Sequence, residues 1–212
     1  MRYFSDVGAL ARKDLLIELR ARETVPAMLL FVLSTLTIFH FAVPRGASDD
    51  VTLGLLWTAI VFTALLGLTR AFVPEREQGV FDALVLAPSD RSAIWAAKSF
   101  SVLAVLGLAQ LVAVPAFGLF FHGVGWRTVA ALALADIGIC AVGTLTGAMA
   151  VVGRARELIL PLLFLPLAIP VVVGGVGASV GAGSHYLGFL ALYDAIFGLL
   201  AWATFEYVVS ET

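Results

Sequence analysis

Six long apolar runs alternate with short polar stretches along the chain, and that alternation predicts most of the architecture. Val25–Val43 is long enough to cross a bilayer, which takes about 20 apolar residues in a helix. Leu53–Val73, Ala93–Phe121, Thr128–Val152, a fifth run beginning as Leu158–Val173, and Leu187–Val209 supply the other spans. The interruptions read as turns: Pro44-Arg45-Gly46-Ala47-Ser48-Asp49-Asp50 is rich in turn formers, and His122-Gly123-Val124-Gly125 is tight. Ahead of the first span, residues 1–24 place Phe4, Val7, Ala11, Leu15 and Leu19 on one side and Lys13 and Arg20 opposite. Asp14 and Glu18 intrude on that apolar flank. An interfacial helix leading into the membrane is expected there. The expectation is an all-α membrane protein, with residues 1–212 forming a single transmembrane domain.

One polar stretch is more than a turn. Between the second and third spans lies a charged island, Pro74–Pro88, followed by Ser89-Asp90-Arg91. Pro74 suits the first turn of a helix, where its missing N–H costs nothing. Glu75 and Glu77, flanking Arg76, then sit where the helix dipole favours negative charge. Val80, Leu84 and Ala87 follow at helical spacing, and Pro88 stops the helix. A short amphipathic helix must bury its stripe. It lies on lipid headgroups, or it docks into a soluble partner.

Composition agrees with a membrane chain and narrows the chemistry. Of 212 residues 61% are hydrophobic and 13% charged, and mean hydropathy is +1.02. A net charge of −2 without any Lys/Arg run gives no reason to expect nucleic acid. Cys140 is the sole cysteine, so it forms neither an internal disulfide nor a cysteine-based metal site and reads as a small packing residue. The first apolar run has no A-x-A site after it and is expected to be a retained span. Placing the N-terminus in the cytoplasm leaves eleven of the thirteen Lys and Arg inside, with only Arg45 and Arg127 outside. The positive-inside rule therefore predicts both termini, and the island, in the cytoplasm. No phosphate-binding G-x-x-x-x-G-K-[ST] loop, H-E-x-x-H or G-x-S-x-G occurs, so nothing nominates an ATPase or hydrolase site in this chain.

Several residues inside the spans stand out. Asp136 is deep in the fourth, where a carboxylate costs about 2.5–3.5 kcal/mol on insertion scales. It either lies on a pathway or holds spans together with Gln110 of the third, and holding together is the weightier reading. Gly143-Thr144-Leu145-Thr146-Gly147 allows a close helix approach, within the subunit or across a dimer. Pro161, Pro166 and Pro170 share one span and free backbone carbonyls. They predict either a broken span, with a re-entrant end before His185, or a kinked helix. His40, His122 and His185 all fall on the outer side of the predicted topology. Imidazole ligates heme iron, but Phe39, Phe120, Trp126 and Tyr186 beside these histidines also fit an interfacial belt, which is the plainer reading.

Four stretches together resemble the heme exporter protein B family. They are Lys13-Asp14-Leu15-Leu16-Ile17-Glu18-Leu19-Arg20 with Arg22-Glu23; Gly54-Leu55-Leu56-Trp57 with Leu66-Gly67-Leu68-Thr69-Arg70; Leu84–Ile94 reaching Lys98; and Arg156–Leu167. The resemblance covers most of the chain and departs from the family in Gly174–Gly183 and in the acidic end, Glu206 and Glu211. It implies a type-2 ABC permease subunit of cytochrome c maturation in a bacterial inner membrane. It further implies a separate ATPase whose groove receives the island as a coupling helix through Glu75, Arg76, Glu77, Val80 and Leu84. A heme-handling membrane protein, a heme chaperone and a second copy of the chain are the other implied partners, with heme as substrate. Two rivals remain from the residues themselves: a permease exporting a lipid, glycan or drug, and a scaffold that transports nothing.

Overall fold

The structure is a computed structural model that describes residues 2–21, 23–44, 46–71, 90–152, 156–181, 183 and 185–210. Among these residues there are seven helices and no strand. They are α1 (Arg2–Ala21), α2 (Thr24–Ala42), α3 (Asp49–Ala71), α4 (Arg91–Phe120), α5 (Trp126–Val152), α6 (Arg156–Ser179) and α7 (His185–Ser210). The last six are each long and apolar enough to cross a membrane. The chain is a multi-pass membrane protein.

Local chemistry sets the helix ends. Asp90 caps α4, its carboxylate accepting from the Ser92 N–H at 3.0 Å. Asp49 and Asp50 occupy the first turn of α3, where the dipole favours them. The Val43 N–H closes α2 onto the Phe39 carbonyl before Pro44 prevents another turn. Gly46 and Gly181 turn the chain with positive φ, 89° and 76°, which a Cβ would disfavour.

The spans are packed unequally. In α5, 67% of the most apolar window is buried, against 17% in α2 and in α7. Helix α5 therefore sits at the centre, touching α3, α4, α6 and α7, while α2 and α7 form the rim. The core joins Trp57, Leu68, Leu106, Phe117, Ile139 and Phe164 from successive spans. Cys140 is buried within it, as a packing residue would be.

One open alternative closes and one expectation changes. The fifth span is not broken: α6 runs continuously from Arg156 to Ser179 with Pro161, Pro166 and Pro170 all inside it. Each proline removes one N–H, a loss that neighbouring helices can offset, and among the described residues there is no re-entrant end. The Gly-rich stretch belongs to the same helix as far as Ser179. The glycines give other spans room, because a Cβ at Gly175 would meet the Trp57 ring and one at Gly177 the Tyr186 ring. Helix α1 also differs from a single apolar stripe. Phe4 and Leu19 are exposed, whereas Ala11 is buried. The side turned to the protein is the one carrying Asp14 and Glu18, both with buried carboxylate atoms.

Candidate functional site

The polar chemistry gathers in three places. At the end of the bundle where α1 lies, Lys98 of α4 is 6% exposed. Its ammonium sits 3.1 Å from the Asp14 carboxylate and donates to the Ala71 carbonyl, the last of α3, at 3.0 Å. Lys13 reaches the same carboxylate at 2.8 Å. The final carbonyls of a helix have no partner within it, so a lysine there satisfies one and meets the negative end of the dipole. Around this pair Ser101 donates to the Ala11 carbonyl at 3.2 Å. A cleft beside it is lined by Glu18, Thr24 and Met28 as well as by Asp14 and Lys98. The sequence reading overlooked this group. Its signal was the two acids that spoiled the apolar flank of α1.

Mid-bundle, Gln110 donates to Asp136 at 2.7 Å, both side chains being buried. The expected pairing of the third and fourth spans is present. A second intramembrane acid was missed: Asp194 of α7 lies against Gly138 of α5, where a Cβ would strike its carboxylate. Tyr193 beside it donates to the Leu167 carbonyl of α6 at 2.7 Å. Gly143 of the G-x-x-x-G pattern receives Leu68 of α3, so at Gly143 the close approach is internal to the subunit. Pro166 lines an apolar groove between α3 and α6 with Thr58, Phe62 and Ile169.

At the opposite end are His40, near the end of α2, His122, after α4, and His185, which opens α7. The His40 ring lies 5.4 Å from that of Phe120 and 5.7 Å from that of Phe121. His122 Nε2 is 2.8 Å from the Thr52 hydroxyl and 3.6 Å from Asp49, which ties the α4–α5 turn to the start of α3. His185 lies against Tyr186, ring centres 4.3 Å apart. Among the described residues no three His, Cys, Asp or Glu converge as a metal-ligating group. The island residues Glu75, Arg76, Glu77, Val80 and Leu84 lie outside the described residues.

Comparison with known proteins gives this arrangement its kin. The heme exporter protein B of Paracoccus denitrificans is 33% identical over 176 residues, which cover 80% of this chain and 80% of that protein. That of Bradyrhizobium diazoefficiens is 32% identical over 178 residues, covering 82% and 80%. The heme exporter protein B of Haemophilus influenzae is 26% identical over 193 residues, 87% of each. The model of the family described as CcmB protein matches residues 6–208, which takes in α2–α6 whole and nearly all of α1 and α7. The chain belongs to the CcmB protein family.

Proposed function

We propose that this protein is the membrane subunit of an ABC-type complex of cytochrome c maturation, working in a bacterial inner membrane with both termini in the cytoplasm. The family match over residues 6–208 is the observation that carries this reading. A separate ATPase subunit binds nucleotide, since this chain has no phosphate loop. The Pro74–Pro88 island enters that subunit's groove: Val80 and Leu84 supply binding, and Glu75, Arg76 and Glu77 orient it. The work done at the outer face is export of heme or release of a heme-loaded chaperone beside a heme-handling membrane protein. Heme is substrate here, not a resident cofactor, and the mixed surroundings of His40, His122 and His185 support an interfacial role for them.

Purification in mild detergent tests the coupling step. The wild-type protein should bring down an ATPase subunit. Leu84→Asp should release it, because an unpaired charge in a buried groove is costly. Retention of the ATPase by Leu84→Asp, with maturation intact, would reduce the island to a helix on the lipid surface.

A further inference from the structure

Two contacts of Lys98 reach different helices. One is to Asp14 of α1, the other to the Ala71 carbonyl that ends α3. Lys98 stands on α4, so a single ammonium joins three helices at one end of the bundle. Two of them, α3 and α4, are the spans that the Pro74–Pro88 island connects in sequence. The surroundings reinforce the join: Ser101 donates to the Ala11 carbonyl, the hydroxyls of Ser92 and Tyr3 meet at 3.4 Å, and Arg70 lies 3.9 Å from Glu23. The Arg70–Glu23 contact is long and both side chains are exposed, so it adds little. The Lys98–Asp14 contact is different, because both side chains are more than nine-tenths buried, so breaking it is costly even though Lys13 also reaches Asp14.

We infer that Lys98 is a positioning residue: with Asp14 it clasps α1 to the adjoining ends of α3 and α4, so that these three move as one body when the complex works. The inference rests on the proposed coupling role for what that motion accomplishes, but the clasp itself does not. A lipid-facing helix held only by its apolar residues would slide over the bundle. One held by a buried charge that also caps α3 cannot move without disturbing the helix end that leads into the island.

The experiment uses the full-length protein in its membrane, with Cys140→Ala and Ala11→Cys. Ala11 is 7% exposed and faces the bundle, so its replacement should label slowly with a permeant maleimide. Lys98→Met and Asp14→Asn should each speed labelling by about tenfold or more, as expected for a broken buried pair. Lys98→Arg, which keeps the charge, should label slowly again. Asp14→Asn carries the test if Lys98→Met does not accumulate. Unchanged labelling in these charge-removing variants would overturn the clasp. In the purified complex, the same variants should retain the ATPase and its hydrolysis while cytochrome c maturation falls, which a loss of folding would not produce. Faster labelling with full maturation would overturn the positioning role. Absence of any ATPase from the wild-type complex would instead count against the coupling proposal, and the labelling result would still decide the clasp.

Discussion

At Gly175 the place of a side chain is taken by the indole of Trp57, whose N–H donates to the Ser179 hydroxyl one turn further on at 3.0 Å. Gly175→Val is therefore expected to destabilise the bundle by about 1–3 kcal/mol through overpacking. The melting midpoint in detergent would read that loss, and Trp57→Ala should recover part of it in the double variant. If Gly175→Val melts with the wild type, α6 and α3 do not meet as described. Gln110 and Asp136 make a second case. Their 2.7 Å bond satisfies an acid that would otherwise be stranded. Gln110→Leu should cost about 1–3 kcal/mol, the penalty for a buried polar group left alone. Asp136→Asn keeps a bonding partner for Gln110 and is predicted to leave cytochrome c maturation near wild type. Loss of maturation in stable Asp136→Asn protein would make Asp136 a pathway residue instead of a tie between spans.

Among elements, α6 changed most between sequence and structure. Three prolines left a break or a kink open; the helix is continuous, and the glycines that follow let other spans pack against it. Pro166→Ala is accordingly predicted to support maturation at a level similar to wild type, whereas Gly175→Val should not. The reverse order would give the prolines a part in the mechanism. The six spans were legible because apolar length is itself the physical requirement for crossing a bilayer. Helix α1 was legible as a helix, but not in its facing. Asp14 and Glu18 looked like flaws in a lipid-facing stripe because Lys98, far away in the chain, meets Asp14 only after α4 packs beside α1. Asp194 could have been found. An acid within the apolar run Leu187–Val209 was as visible as Asp136, and its neighbour across the interface, Gly138, supplies the space that makes it tolerable.

The whole molecule is a bundle with α5 at its centre and two sparsely buried spans, α2 and α7, at its rim. The ionic clasp is at one end and the histidines are at the other. Basic residues are distributed as unevenly, and this supports assigning the clasp end to the cytoplasm. In a Cys140→Ala background, Gln78→Cys should resist impermeant thiol reagents in intact cells and Ser48→Cys should react. Labelling with the sides exchanged would reverse the orientation and remove the island from reach of any cytoplasmic ATPase. The measurement that bears most directly on the function is complementation. The gene for this chain, expressed in a bacterium lacking its own heme exporter protein B, is read by heme covalently attached to c-type cytochromes. Supplying the matching ATPase and heme-handling subunits removes partner mismatch as an explanation. Restored heme attachment is expected from the wild-type chain, and little or none from Leu84→Asp. Membrane-inserted wild-type protein that restores no attachment in that setting would contradict the proposed function.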